Sequence, residues 1–283
     1  MKNILITGVS SGIGAAIAEA SINNGHTVFG TVRNETDAAR CQRQWGNLFV
    51  PLIADIRDAD AIKAIFNTVQ RTLINEPLHI LINNAGILKP APLALQPITD
   101  IEEMLEVNVT STIRVIQTFL PLIKTNAKKT PSKIINISSI SGQIAAPFLG
   151  GYTASKFAME GFSNSLRREL MPLGIQVVII APGSVRTPIW SKASNPNYFP
   201  GSLYEQPFKK FIASSLAEAE KGLQPTEIAN LVADIINNKN PKIRYNPVPQ
   251  KFANYYLPKL MSGKMLDRLL FKVLGMKMMG KNQ

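Results

Sequence analysis

Cysteine and histidine are nearly absent from this chain. The sequence contains one cysteine, Cys41, and two histidines, His26 and His79. A single cysteine excludes an intrachain disulfide and is typical of a reducing compartment. The three side chains together are too few for a zinc cluster of the usual Cys and His kind. Composition alone leaves carboxylate sites for magnesium or calcium open, and we assign no metal ligand.

Long apolar runs are also lacking. No stretch approaches the roughly 18 consecutive apolar residues that indicate a membrane span. Met1-Lys2-Asn3 leads directly into a short apolar strand, so we expect no cleavable signal peptide. The 283 residues are 45% apolar, which is enough to bury the core of one large globular domain or two small ones. These features predict a cytoplasmic protein.

Acidic residues are scarce at the end of the chain. Between Lys239 and Gln283 there are ten Lys or Arg residues and one acid, Asp267. This segment carries +9 of the total net charge of +12, which leaves +3 for the preceding 238 residues. The charge therefore gives no reason to expect that the main domain binds nucleic acid, and the role of the basic segment is a separate question.

Short apolar runs alternate along the chain with stretches of helical periodicity. The predicted strands are Lys2–Thr7, Thr27–Thr31, Leu48–Ala54, His79–Asn83, Lys133–Ser138 and Ile175–Ala181, with a short strand around Lys242–Tyr245. Helices are predicted near 12–24, 58–74, 99–124, 152–171 and 225–238. The helix near 99 opens with a capping-box pattern, Thr99-x-x-Glu102.

This alternation predicts the α/β class, as a Rossmann-type doubly wound parallel sheet of about seven strands with helices on both faces. We expect residues 1–249 to form a single domain. Residues 187–224 interrupt the alternation with prolines and aromatic side chains, which predicts an inserted lid across the strand ends. Residues 250–283 are predicted to form a basic amphipathic extension.

A glycine-rich turn, Gly8-Val9-Ser10-Ser11-Gly12-Ile13-Gly14, follows the first predicted strand. Glycines let the backbone approach a pyrophosphate, and the next helix presents free amides and its positive dipole end to the phosphates. The candidate dinucleotide contacts are Gly8, Ser10, Ser11, Gly12, Ile13 and Gly14. The spacing is Gly-x-x-x-Gly-x-Gly, and the alternative is a tight strand–helix turn that binds no ligand.

The end of the second predicted strand indicates which dinucleotide is used. Many NAD-binding proteins have an acid there, which accepts hydrogen bonds from the adenosine ribose, whereas this chain has Arg33. Arginine can pair with a 2′-phosphate, which favours NADP(H) over NAD(H). The alternative is that Arg33 is a solvated surface charge. Asp55, after the third strand, is a candidate for the adenine amino group or for the N-cap of the helix at 58–74.

Tyr152 and Lys156 are four residues apart at the start of a predicted helix, so they share one helical face. A free tyrosine has a pKa of roughly 10 and is a poor base at neutral pH. The charge of Lys156, joined by a cationic nicotinamide ring, is expected to stabilise the phenolate and lower that pKa.

Four further motifs accompany this pair in a fixed order. They are the glycine turn, Asn83-Asn84-Ala85-Gly86, Asn136-Ile137-Ser138-Ser139 and Pro182-Gly183. With them, the chain from Lys2 to about Tyr245 resembles the short-chain dehydrogenase/reductase family, in its single-domain branch of about 250 residues. The resemblance implies hydride transfer between a nicotinamide and a carbonyl or alcohol carbon, and a homodimer or homotetramer.

The resemblance also implies roles for single residues. Tyr152 would be the general acid/base, Lys156 would hold the nicotinamide ribose, and Ser139 would orient the substrate carbonyl. Asn108 would maintain a water-mediated proton path to the lysine, or alternatively only bond to the backbone. The implied cofactor contacts are Asn84, Ala85, Gly86, Tyr152, Lys156, Pro182, Gly183, Val185 and Thr187; Asn83 is interpreted as structural.

The lid and the extension bear on the substrate and the partners. The lid has many aromatic side chains, which favours a steroid-, retinoid- or lipid-like carbonyl, although these side chains could simply pack the lid onto the domain. In the extension, residues 264–275 have amphipathic spacing with a basic flank. One hypothesis is a peripheral membrane contact through 255–279. The others are a cover over the chain's own active site and a contact with a partner subunit.

Two other function classes are possible on this sequence. One is a nucleotide-sensing protein that has the fold but no catalysis, against which the complete set of Tyr152, Lys156, Ser139 and Asn108 argues. The other is nucleic-acid binding through the basic extension. We predict a small-molecule substrate and no nucleic-acid partner.

Overall fold

Parallel β-strands form the central sheet of the protein. The structure, a computed structural model, describes residues 1–123, 131–193 and 198–276. Its strands are β1 (Asn3–Ile6), β2 (Thr27–Val32), β3 (Phe49–Ile53), β4 (Ile80–Asn83), β5 (Lys133–Ile137), β6 (Gln176–Ile180) and β7 (Arg244–Tyr245). Within the described ranges the seven strands lie in the order β3-β2-β1-β4-β5-β6-β7, and all neighbours are parallel.

Helices connect the strands. They are α1 (Gly12–Asn23), α2 (Glu35–Trp45), α3 (Ala59–Leu73), α4 (Ile98–Leu105), α5 (Ser111–Phe119), α6 (Gly150–Leu170), α7 (Ile189–Ala193), α8 (Glu205–Glu220), α9 (Pro225–Asn237), α10 (Leu257–Leu260) and α11 (Gly263–Leu274). A π-helical turn, Glu106–Thr110, joins α4 to α5, and a second, Phe252–Tyr256, precedes α10. Among the helices of the described ranges, none has both the length and the apolar character needed to cross a bilayer.

Both faces of the sheet are covered by apolar side chains. Ile4 and Ile6 of β1 point to a layer formed by α1, α2 and α9, whereas Leu5 points to a layer formed by α3, α5 and α6. Successive residues of a strand face opposite sides, so both sets of β1 side chains are buried. This explains the consecutive apolar residues of the predicted strands, and the predicted fold class is confirmed.

A third apolar cluster lies over the carboxyl ends of the strands. It combines Tyr152 of α6 with Phe208 and Phe211 of α8 and Leu274 of α11. The rings of Phe148, Phe208 and Phe211 contact each other, with centroids 5.4–6.3 Å apart. We call this group the aromatic cluster. It places α8, in the predicted lid, beside the strand ends where parallel sheets bind their ligands.

Some element predictions were wrong in detail. Four helices, α2, α7, α8 and α10, were not predicted, and the helix predicted over 99–124 is divided by the π-helical turn into α4 and α5. Helix α4 begins at Ile98 after Pro97, so Thr99 lies inside its first turn and forms no capping box. The predicted helix at 264–275 is α11. Pro196, Met278 and Met279, which belong to the predicted lid and extension, lie outside the described residues.

Candidate active site

A cleft of about 640 Å³ lies at the carboxyl ends of the strands. It occupies the position where the strand order changes direction, between β1 and β4. Nearly all the predicted site residues line it. The lining predicted residues are Gly8, Ser10, Ser11, Gly12, Ile13, Arg33, Asp55, Asn84, Ala85, Gly86, Ser139, Tyr152, Lys156, Pro182, Gly183, Val185 and Thr187. The structure does not bring Gly14 or Asn108 to the wall of the cleft.

The glycine turn has the shape that a phosphate needs. Gly8 has φ +73°, a left-handed conformation that L-residues with a side chain rarely adopt. Ser11 is the N-cap of α1 and its side chain forms no capping bond, so no N-cap side chain occupies the first amides of α1. These amides and the dipole of α1 suit an anionic pyrophosphate. The residues present therefore fit the dinucleotide that the motif predicts.

Gly14 has a packing role. A Cβ at this position would lie 2.2 Å from the Gly8 carbonyl oxygen and 2.5 Å from Asn84 Nδ2. The Asn84 amide itself donates to the carbonyls of Thr7 (2.9 Å) and Gly8 (3.0 Å), which ties the end of β4 to the turn. The glycine motif thus includes a residue that permits close packing and that need not touch the ligand.

Asn83 lies in the core. Its Nδ2 donates to Asn136 Oδ1 (2.8 Å), and Asn136 Nδ2 donates to Ser163 Oγ of α6 (2.8 Å). The three buried side chains link β4, β5 and α6. This agrees with the interpretation of Asn83 as structural.

Two arginines lie near the glycine turn and the end of β2. Arg33 follows β2, is exposed and lines the cleft. Arg40, on α2, donates from its guanidinium to the Ser10 carbonyl (2.8 Å) and to Asp37 (2.8 Å). Arg40 is not among the predicted site residues, because α2 was not predicted. The available signal was Asn34, whose side chain caps α2 by accepting from the Asp37 amide (2.8 Å).

Asp55 is held by Arg57. Its carboxylate accepts from the Arg57 backbone amide (2.9 Å) and from the guanidinium (2.6 and 3.0 Å), and these bonds lower the pKa of Asp55. Asp58 caps α3 by accepting from the amides of Asp60 and Ala61. The N-cap alternative for Asp55 was therefore wrong, and its carboxylate lines the cleft as an anion.

Tyr152 and Ser139 meet at the centre of the cleft. Both line it, and Ser139 lies close enough to lower the pKa of the Tyr152 phenol by hydrogen bonding. Burial has the larger effect and raises the pKa of Tyr152 to about 12. The protein's own groups therefore keep this tyrosine protonated. They raise its pKa, whereas the charge of Lys156 was expected to lower it.

Lys156 is buried one helical turn beyond Tyr152. Its Nζ donates to the Ile137 carbonyl at the end of β5 (3.0 Å) and lies 5.8 Å from the centre of the Tyr152 ring. Burial lowers the pKa of Lys156 to about 8, and the negative charge of Glu160 opposes that shift. Glu160 is buried a further turn along α6 and forms an ion pair with Arg244 of β7.

Asn108 is fully buried in the π-helical turn between α4 and α5. Its Oδ1 accepts from the Ile87 amide (2.9 Å), and its Nδ2 donates to the Ile87 carbonyl (3.0 Å) and to Ser155 Oγ (2.9 Å). These bonds fit the alternative in which Asn108 binds backbone. They also attach it to the residue before Lys156, while the water-mediated path stays a prediction.

The far end of the cleft is mainly apolar. It is bounded by Leu149 at the start of α6, by Trp190 of α7 and by Phe211 of α8. Polar side chains also line the cleft, among them Ser215 and Glu218 of α8 and Asn254 of the C-terminal extension. The cleft therefore joins a polar turn that suits a dinucleotide to an apolar chamber that suits a hydrophobic molecule.

The geometry defines a dinucleotide-binding α/β protein with a tyrosine, a lysine and a serine beside the nucleotide cleft. A family model described as short chain dehydrogenase matches residues 2–197. The chain belongs to the short-chain dehydrogenase/reductase family. It is accordingly an oxidoreductase that acts on CH–OH or C=O groups of small molecules with NAD(P).

Relatives and solved structures agree with this assignment. An NADPH-dependent 3-dehydrocapnine reductase of Ornithobacterium rhinotracheale is 35% identical and covers 96% of this chain and 97% of its own. A 3-amino-tetrahydro-pyrrolizinone reductase of Xenorhabdus hominickii is 34% identical, with 86% of each chain covered. A crystal structure of a short-chain dehydrogenase from Streptomyces avermitilis superposes with a TM-score of 0.75 at 23% identity, over 97% of this chain and 95% of that one, which shows the fold.

Proposed function

We propose that this protein is an NADP(H)-dependent reductase of a hydrophobic, lipid-like carbonyl compound. The observation that carries the proposal is the meeting of Tyr152, Ser139 and Lys156 in a cleft with a glycine turn at one end and an apolar chamber at the other. The domain assignment belongs to the same proposal: residues 1–249 are the catalytic domain, 187–224 its lid and 250–283 an extension. We further propose a homodimer or homotetramer in the cytoplasm, which light scattering and cell fractionation would test.

The reacting side chains have separate tasks. When bound, the cofactor would supply the hydride that reduces the carbonyl carbon. Tyr152 donates its proton to the carbonyl oxygen, a task that suits a phenol with a pKa of about 12 because it is fully protonated at neutral pH. Ser139 donates a hydrogen bond to the same oxygen, and a preorganised donor of this kind is worth roughly 3 kcal/mol.

Lys156 and Asn108 support this pair. The Lys156 ammonium would hold the nicotinamide ribose, and it is itself fixed by a bond to the Ile137 carbonyl. Asn108 fixes the N-terminal part of α6 through Ser155, whose hydroxyl also donates to the Tyr152 carbonyl, and thereby the positions of Tyr152 and Lys156. The remaining predicted cofactor contacts, from the glycine turn to Thr187, belong to the same proposal.

The preference for NADPH rests on charge. Arg33 and Arg40 place two guanidinium groups near the turn that receives the adenosine end of the dinucleotide. A 2′-phosphate would pair with them, whereas an unphosphorylated ribose gains nothing from their charge. One relative is named as NADPH-dependent, which supports the same choice.

The substrate proposal can be tested with a panel of carbonyl compounds. Steroids, retinoids, quinones and long-chain aliphatic ketones would each be assayed with NADPH and NADH. We expect kcat/KM to rise with the length of the apolar chain, by roughly tenfold for two methylenes, since each buried methylene contributes about 0.8 kcal/mol. Equal rates for short and long ketones would contradict the apolar chamber as the substrate site.

Lys156 also predicts a pH profile. Its charge is lost as the pH rises through its pKa of about 8, so kcat/KM for NADPH, which reports the free enzyme, should fall above that pH. The negative charge of Glu160 raises this pKa, so Glu160→Gln should move the alkaline limb to lower pH. Arg244→Gln leaves Glu160 unneutralised and should move the limb to higher pH.

The two variants serve as controls for each other. Both break the same ion pair, so simple loss of packing would move both profiles in the same direction. Circular dichroism would establish that each variant is folded before its profile is recorded. If the alkaline limbs of both variants moved in the same direction, Glu160 would be stabilising the structure around Lys156 and not raising the pKa of Lys156 through its charge.

A further inference from the structure

The C-terminal extension is attached to the catalytic domain at two places. The Tyr255 hydroxyl donates to Gln143 Oε1 (2.7 Å) and accepts from Asn246 Nδ2 (2.9 Å), while Lys259 Nζ donates to both Tyr255 and Gln143. Gln143 follows the short helical turn after Ser139. At the other end, Leu274 is buried in the aromatic cluster together with Met276. The extension therefore presents a defined surface.

Helix α11 carries three lengthwise stripes, each with a four-residue repeat. Leu266, Leu270 and Leu274 form the inner stripe, which is partly to fully buried. Met265, Leu269 and Val273 form an apolar stripe that is 55%, 43% and 51% exposed. Lys264, Arg268 and Lys272 form an exposed basic stripe. With 100° between successive residues, the apolar stripe lies about 100° from each of the other two, and the basic stripe lies nearly opposite the inner stripe. Packing against the protein accounts for the inner stripe only.

Exposed apolar side chains are concentrated in this extension. Of the nineteen large apolar side chains exposed within the described residues, seven lie between Phe252 and Val273. Besides the apolar stripe they are Phe252, Tyr256, Leu257 and Leu260, with Phe252 and Leu260 69% and 77% exposed. A concentration of this kind marks an interaction site.

The charge of the same surface indicates the partner. Residues 251–276 contain five Lys or Arg residues and one acid, Asp267. An amphipathic helix that has exposed apolar side chains beside a row of cations fits the boundary of an anionic bilayer, where the apolar chains enter the lipid and the cations meet the headgroups. Nucleic acid would use the cations but has no place for the apolar stripe.

We propose that the exposed side chains of the C-terminal extension, those of Phe252, Tyr256, Leu257, Leu260 and the apolar and basic stripes of α11, dock on anionic lipid surfaces. This inference stands on the surface alone and does not require a particular substrate. Docking would hold the extension, which contributes Asn254 to the wall of the cleft, against the bilayer. A lipid-like carbonyl would then reach the apolar chamber from the membrane itself.

The test is vesicle flotation of the full chain. The vesicles would be phosphatidylcholine alone and phosphatidylcholine with one third phosphatidylglycerol, each at low and high salt. We expect binding to the anionic vesicles and its loss at high salt. Replacing the basic stripe by Lys264→Gln, Arg268→Gln and Lys272→Gln should weaken the partition coefficient by about 100-fold. Met265→Ser, Leu269→Ser and Val273→Ser should weaken it by roughly tenfold or more.

A matched control changes exposed apolar side chains elsewhere. Ile74→Ser, Met171→Ser and Leu173→Ser remove side chains that are 80%, 71% and 56% exposed, and binding should be retained. Equal flotation of all variants, or no flotation of the parent chain, would overturn the proposal. Light scattering would test whether the apolar stripe instead joins two copies of the chain. If the parent chain bound no vesicles and its oligomer were lost in the apolar-stripe variant, the proposal would also be overturned. If the full chain shifted duplex DNA in a gel and did not bind vesicles, the lipid proposal would also be overturned.

Discussion

Tyr152→Phe is expected to lower the turnover number by about 1,000-fold while the protein remains folded and binds NADPH. The substitution removes only the hydroxyl, and the ring keeps its place in the aromatic cluster. General acid catalysis contributes roughly 10²–10⁴-fold, and in this cleft Tyr152 is the protonated group that Ser139 hydrogen-bonds. The loss should therefore fall on kcat and leave the affinity for NADPH nearly unchanged.

Measurements of turnover and of NADPH binding by fluorescence would check this expectation. Tyr245→Phe is a matched control, since Tyr245 lies in β7, is not among the residues that line the cleft, and has a hydroxyl that accepts from the Lys242 amide. Ser139→Ala should lose roughly 100-fold, the cost of one preorganised donor. A Tyr152→Phe enzyme that retains turnover within tenfold of the parent would show that another group protonates the substrate.

The core of the fold could be predicted because local sequence patterns indicate which residues are buried. Strands β1, β4 and β5 are covered on both faces, so their apolar residues are consecutive and easy to recognise. Helix α2 was missed for the opposite reason. Its sequence is strongly polar, and only Ala38, Cys41 and Trp45 are buried. A short inward stripe is a weak signal when the rest of the helix faces solvent.

The residues of the candidate site could be predicted from the sequence, but their pKa values could not. Spacing placed Tyr152 and Lys156 on one face of α6, and strand ends placed Ser139 near them. The pKa of Tyr152 depends on how completely the surrounding chain removes water, which no local pattern reports. Asn108 is a similar case, because its partners, Ile87 and Ser155, come from distant parts of the sequence.

The second large effect is expected on the affinity for NADPH, from the two arginines near the glycine turn. Arg33→Ala and Arg40→Ala together should raise KM for NADPH by about 100-fold and leave KM for NADH nearly unchanged. A hydrogen bond to a charged group contributes about 1.5–3 kcal/mol. Both arginines are exposed, so solvent screening places the contribution of each at the lower end of that range, which corresponds to about a tenfold change in KM for NADPH. The difference between the cofactors arises because only NADPH carries the 2′-phosphate.

Arg43→Ala is the matched control, since Arg43 is an exposed arginine on the same helix α2, whereas only Arg40 of the two bonds to the glycine turn within the described residues. Arg33→Asp is expected to reverse the cofactor preference. A carboxylate at the end of β2 can accept from both ribose hydroxyls and repels a phosphate, so this variant should prefer NADH. Added salt should weaken NADPH binding to the parent chain more than to the double variant, because screening acts on the charges that were removed. If the double variant lost NADH and NADPH equally, the two arginines would be supporting the shape of the glycine turn, through the bond from Arg40 to Ser10, and not selecting the phosphate.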